Sequence, residues 1–113
     1  MDKIYLSEVD KIHPVEMQDG LLLRRTMSYN NDIMLCHFTL KKGLVLPLHQ
    51  HKNVQIGYVL KGKVKFSKGD DSFFIAEPGT SYVFDSNEIH GIDEVLEECE
   101  FIECFSPIRL EYT

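Results

Sequence analysis

An all-β domain closed into a barrel is the fold class this sequence predicts, on three observations. Short segments rich in β-branched, aromatic or alternating residues recur at 21–28, 32–41, 44–50, 55–66, 72–76, 81–85 and 99–105. Turn chemistry separates them, at Asn30-Asn31, Lys42-Gly43, Lys68-Gly69-Asp70-Asp71, Pro78-Gly79 and Ser86-Asn87. No helical layer accompanies these strands, which leaves a sandwich or a barrel; closure is favoured because it removes vulnerable sheet edges.

The clearest element is the alternation Lys63-Val64-Lys65-Phe66, followed after the Gly69 turn by Ser72-Phe73-Phe74-Ile75. It reads as a hairpin with one wet face on the outer sheet. Only 93–98, DEVLEE, has local helical character, and a charge run of that length is expected to be a solvated loop or a single turn. The chain of 113 residues shows no internal repeat, low-complexity tract or linker, and is expected to be one domain over 1–113.

Composition excludes several function classes. At 43% hydrophobic and 27% charged it is that of an ordinary globular protein, and no apolar run nears the ~20 residues that span a bilayer, so a membrane role is not expected. Twelve Lys/Arg stand against eighteen Asp/Glu, a formal charge of −6, with no basic stripe to neutralise phosphates; nucleic acid is not an expected partner. The N-terminus, MDKIYLSEVD, has acids where a secretory signal needs a basic end and a long apolar stretch, so the expectation is an untargeted, cytoplasmic chain. Cys36, Cys99 and Cys104 form no C-x-x-C pair and are odd in number, which favours reduced, buried thiols.

The chemistry gathers on four residues. His49 and His51, at i and i+2 in a strand-like segment, project from one face and can converge on one ion. Gln55 follows a short turn at the head of the next strand, and His90 lies far downstream. A histidine pair alone is weak evidence of a metal; the context strengthens it. His13 and His37 are isolated, and no direct role is expected of either.

Gly43, His49-x-His51-x3-Gln55, Gly62, Pro78-x-x-x-Tyr82 and His90, taken in order, resemble the paired motifs of the cupin superfamily over about residues 31–109. The resemblance implies a jelly-roll barrel, also called a double-stranded β-helix, with one divalent metal inside held by His49, His51, Gln55 and His90. The usual fourth ligand in that pattern is Glu; here it is Gln. Three imidazoles and a neutral amide leave the charge of an ion uncompensated, so the site should attract an anion. Nitrogen-rich ligation suits Zn, Fe, Ni or Cu, and the amide oxygen admits Mn; the sequence does not choose among them.

In the last predicted strand Cys99, Phe101, Glu103 and Phe105 share one face and Glu100, Ile102 and Cys104 the other. Parity alone leaves two orientations: Glu103 inward, where its carboxyl must be hydrogen-bonded or tuned, or outward and solvated. The stretches Q-I-G-Y-V-L-x-G from Gln55 and F-S-P-x-R-x-x-Y from Phe105 resemble the small cupin proteins of pectin degradation. That family opens the ring of 4,5-unsaturated uronates to linear keto sugar acids, and its further functional Asp, Phe and Arg fall on Glu103, Phe105 and Arg109. Glu in place of Asp is one methylene longer. The resemblance thus implies a metal-dependent enzyme acting on a small anionic sugar, with Glu103 moving protons, Arg109 orienting the substrate, and a homodimer as the assembly. The alternatives are a non-catalytic sugar- or carboxylate-binding cupin and a metal-dependent dioxygenase; Gln55 with the Phe105–Arg109 tail favours the uronate enzyme.

Overall fold

The computed structural model describes residues 3–113. Its strands are β1 (Val15–Met17), β2 (Leu22–Tyr29), β3 (Met34–Leu40), β4 (Leu46–His49), β5 (Val54–Lys68), β6 (Phe73–Ala76), β7 (Ser81–Phe84) and β8 (His90–Ser106). All pair antiparallel, in the order β1-β2-β3-β8-β5-β6, with β4 also on β8 and β7 on β5. The seven expected strands are β2 to β8. The additional strand, β1, has only three residues, too few for a periodic signal to show. No helix among the described residues is long and apolar enough to cross a membrane.

β8 is the hub. Its first residues pair with β4 (Leu46↔Ile92, His49↔His90), its last third with β3 (Leu40↔Cys99 to Met34↔Phe105), and nearly its whole length with β5. Two strands this long must bend to wrap a core, and the corner lies at Gly62 of β5. Its φ is +82°, and a Cβ there would stand 2.6 Å from the Cα of Cys99, so only glycine lets the strands cross so closely.

One expectation fails. DEVLEE at 93–98 is neither a loop nor a turn but the middle of β8. Val95 is buried opposite Val64 while the acids stay outside, where Asp93 pairs with Lys65 at 3.4 Å. Register shifts between β5 and β8 break the two-residue period, so the apolar positions Ile92, Val95 and Cys99 do not alternate and the charges dominate the local pattern.

The hairpin of β5 and β6 has the predicted wet face: Val64, Phe66 and Ala76 are buried, while Phe73 and Ile75 face out. Met34, Leu40, Leu44, Val59, Val64, Phe84 and Phe105 fill the interior almost without exposure. Each such burial contributes roughly 1.5–3 kcal/mol before chain entropy is counted. Cys36 and Cys99 are part of this core, and burial pushes both thiols up to about 12, so they pack as small apolar groups. Alternation is strictest at the head of β5, where Gln55, Gly57 and Val59 face in and Val54, Ile56, Tyr58 and Leu60 face out. That parity, matched by Phe101, Glu103 and Phe105 on β8 and by Tyr82 and Phe84 on β7, builds the site.

Candidate metal centre

His49 closes β4, His90 opens β8, and the two are paired residues in the ladder. His51 lies just beyond the end of β4, on the turn leading to β5, so the chain's bend as well as strand alternation turns it inward. One ring nitrogen from each of the three lies within 4.8 Å of the others. Each Nδ1 meets a backbone carbonyl: His49 at Pro47 (2.9 Å), His51 at Asn53 (2.9 Å) and His90 at Glu88 (2.8 Å). A carbonyl only accepts, so each Nδ1 must donate, and each Nε2 is left with its lone pair facing the cluster. Phe84 stacks on His90, with ring centroids 4.2 Å apart and planes at 9°, and fixes that ring further.

Three lone pairs brought into one cluster call for an electrophile. The Nε2 of His51 is buried and has no hydrogen-bond partner. Burial lowers the affinity of His51 for a proton, as it does for His90, which it depresses to about 4. These two rings are therefore neutral at physiological pH, the state in which imidazole binds metal. Backbone carbonyls holding Nδ1 are the usual means of orienting such ligands. The donor set fits a divalent transition ion.

Gln55 adjoins His51 from the first inward position of β5. Its Nε2 donates to Oε2 of Glu103 at 2.8 Å, so the amide oxygen is the atom left for the histidine cluster. Glu103 faces in, which resolves the parity of the last strand, and is 5% exposed. Its Oε2 also accepts from the hydroxyl of Tyr82 at 2.6 Å. Burial pushes the carboxyl up to about 7, against the downward pull of the Tyr82 and Gln55 hydrogen bonds and of the Arg109 charge.

The cupin domain model matches residues 36–103, more than half of the chain. The chain belongs to the cupin family. It is 29% identical over 99 residues to the pectin degradation protein KdgF of Dickeya dadantii (strain 3937), covering 86% of this chain and 87% of that protein. An RmlC-like cupin from Shewanella frigidimarina NCIMB 400 superposes with a TM-score of 0.89 at 23% identity, over 100% of both chains. KdgF from a Halomonas species superposes with a TM-score of 0.86 at 22% identity, over 96% of this chain and 97% of that one. The barrel is thus the cupin jelly roll, and its histidine group runs from the buried His90 through the half-buried His51 to the exposed His49.

The cavity of this cupin is lined by His49, Gln55, His90, Glu103, Phe105 and Arg109, among others. Every residue singled out in the sequence reaches it except His51, whose ring approaches Phe105 from the side at 6.4 Å between centroids. The guanidinium of Arg109 lies 4.4 Å from the ring centroid of Tyr112 and contacts Glu111 at 3.1 Å, in the short turn that follows β8. Sequence reasoning gave no role to five supporting residues, of which Tyr82 and Tyr112 stood out only as motif positions. Tyr112 covers Phe105 and Phe38 (5.8 and 6.2 Å between centroids) and carries a second guanidinium, Arg24, at 4.3 Å. Arg24 is half-buried on β2 opposite Phe38, in a stretch, Leu22-Leu23-Arg24-Arg25, whose residues do not alternate and so carry no parity signal. Asn53 ties the His51 turn to the carbonyls of Pro107 (2.6 Å) and Ile108 (3.3 Å), a contact over more than fifty residues with no local signal. From β7, Phe84 stacks on His90 and Tyr82 donates to Glu103, contacts that the strand signal at 81–85 does not reveal. His13 is exposed, and His37 sits on another face of the sheet, 3.4 Å from Glu100.

Proposed function

We propose that this protein opens the ring of 4,5-unsaturated uronate monosaccharides to linear keto sugar acids, with one divalent transition-metal ion held by His49, His51, His90 and Gln55. The observation that carries the reading is the placement of one protonatable carboxyl, Glu103, in a cavity lined by a guanidinium and by two, His49 and His90, of the three convergent imidazoles. A carboxyl at about 7 can both take and give a proton near neutral pH. The similarity to the pectin degradation protein KdgF supports the substrate class.

The bound ion would supply Lewis acidity toward a substrate oxygen. Arg109 offers a planar fork for the sugar carboxylate, stiffened by its contact with Tyr112. The unsaturated carbon that carries this carboxylate also bears the ring oxygen. A proton added to the neighbouring alkene carbon and a water hydroxyl added to the carboxylate-bearing one give a hemiketal. That hemiketal opens when its hydroxyl gives up a proton and becomes the keto oxygen as the carbon–ring-oxygen bond breaks and the ring oxygen takes a proton; the anomeric carbon, left with two hydroxyls, loses water to become the aldehyde. Glu103 is the side chain placed to move those protons, and Phe105, 1% exposed, keeps the adjoining wall dry.

Incubation of metal-loaded protein with unsaturated galacturonate and mannuronate tests this by the ultraviolet absorbance of the conjugated alkene. Its loss with the wild type and persistence with Glu103→Gln is the expected result. Binding without any absorbance change would make the protein a carboxylate-binding cupin, and oxygen consumption would make it a dioxygenase. We also take the working form to be a cytoplasmic homodimer. The outward row Val54, Ile56, Tyr58 and Leu60 with Val83 beside it supports pairing through a sheet face, and a monomer by analytical ultracentrifugation would refute it.

A further inference from the structure

Glu103 of β8, Gly57 of β5 and Tyr82 of β7 stand side by side across three strands. All three positions face the interior. In most barrels the central residue of such a row would separate the outer two. Here it is glycine, and a Cβ on Gly57 would come within 2.7 Å of Cε2 of Tyr82. The phenol occupies the place of the missing side chain and reaches over its neighbour strand to Oε2 of Glu103 at 2.6 Å.

The hydroxyl is not needed for packing. The ring of Tyr82 sits among Phe66 (4.7 Å), Phe84 (5.6 Å), Phe74 (5.9 Å) and Phe101 (6.2 Å), an aromatic nest that a phenylalanine would fill as well. The carboxyl is what the hydroxyl serves. Tyr82 and Gln55 both donate to Oε2, and Oε1 accepts no hydrogen bond among the described residues. Two donors on one oxygen set the rotation of the carboxyl plane and leave the other oxygen as the atom free to carry a proton. Burial, then the facing Glu103 charge, hold the phenol well above the usual tyrosine range, so it stays a donor.

We propose that Tyr82 is a positioning residue of this site: reaching across Gly57, it anchors one oxygen of Glu103, presents the other to the cavity, and holds the Glu103–Gln55 contact in register with the histidines. The catalytic part of the inference rests on the reading of Glu103 as the proton carrier. Nothing in the spacing of Tyr82 from the histidines announces this role; it exists only because β7 and β8 flank the same glycine.

Two measurements on the full-length chain test it. In the metal-loaded protein, Tyr82→Phe should lower kcat about 10- to 100-fold, the range for losing a hydrogen bond to a charged group, with KM and metal content within about twofold of wild type. Gly57→Ala, which displaces the ring and keeps the hydroxyl, should reproduce that loss. Adding Tyr82→Phe to Glu103→Gln should slow the enzyme no further. In the metal-free protein, the 13C carboxyl resonance of Glu103 at one fixed pH should move and broaden in Tyr82→Phe. Wild-type kcat in Tyr82→Phe beside an impaired Glu103→Gln overturns the positioning role and leaves the proposed function standing. If the wild type does not turn over uronates at all, the proposed function fails, and the resonance decides: an unchanged Glu103 signal in Tyr82→Phe overturns the inference as well.

Discussion

Replacing Gln55 by Glu would put a carboxylate oxygen where the amide nitrogen now stands, 2.8 Å from Oε2 of Glu103. Two unit charges at that distance repel by roughly 6 kcal/mol at an effective dielectric of about 20. The metal-free pair escapes by keeping one proton between its two carboxyls, so its second ionisation is displaced upward and belongs to the pair. Glu103 alone already ionises only at about 7. A carboxyl pKa raised in the folded state favours folding fully below the unfolded value, and that contribution is lost as pH rises toward the folded value. In the wild type the loss from Glu103 is complete above about 7. In Gln55→Glu it continues, by about 1.4 kcal/mol per pH unit for the one retained proton. Urea unfolding of chelated protein at pH 7 and pH 9 measures it: the deficit of Gln55→Glu against wild type should grow by about 3 kcal/mol over that interval. Exchanging both residues, Gln55→Glu with Glu103→Gln, restores one donor and one acceptor and should remove the growth. A deficit independent of pH, or one that persists in the exchanged variant, would refute the reasoning. The same geometry explains why this cupin carries Gln in place of the usual Glu: with a carboxylate at position 103, an amide at 55 is the partner that can donate.

Wild-type protein should carry about one transition-metal ion per chain, and His49→Ala or His90→Ala should largely abolish it, as read by plasma mass spectrometry; full occupancy in both variants refutes the ligand assignment. Arg109→Lys should raise KM by an amount worth about 1.5–3 kcal/mol, because an ammonium supplies neither the fork nor the flat face that meets Tyr112; an unchanged KM would remove Arg109 from substrate binding. Metal-free protein should respond to acid through two opposed groups. His90, depressed from 6.5 to about 4, leaves the unfolded chain with the extra proton, so between those values stability falls as pH falls. Glu103, raised from 4.5 to about 7, does the reverse over an overlapping range. Glu103→Gln should therefore steepen the loss of stability between pH 6.5 and 4.5, and an unaltered slope in urea midpoints would contradict the pairing of these shifts.

How much was legible differs from residue to residue. His49, His51 and His90, which the structure brings together, and Gln55 beside them stand out by motif spacing, because a short turn and two adjoining strands constrain where such side chains can go. Glu103 was grouped correctly with Phe101 and Phe105 by strand parity, yet parity could not say which face was inside, since that depends on which neighbours β8 meets. The Lys63–Ile75 hairpin was legible because its register is local. DEVLEE was not, because its strand character comes from pairing with β5 across several register shifts.

By itself the sequence determined what is local and periodic: an all-β chain, its turns, most of its strands, and a set of metal-type ligands in the order of a known motif. The tertiary structure decided what depends on residues far apart in the chain. It joined Gln55 to Glu103 over forty-eight positions and Tyr82 to Glu103 over twenty-one. It aimed each imidazole with a backbone carbonyl, and it set Arg109 against Tyr112 at the cavity. The physical reason is register. A strand's own residues specify its two faces, but the partner across each ladder, and hence the chemistry of a buried carboxyl, is specified only when β5, β7 and β8 lie side by side.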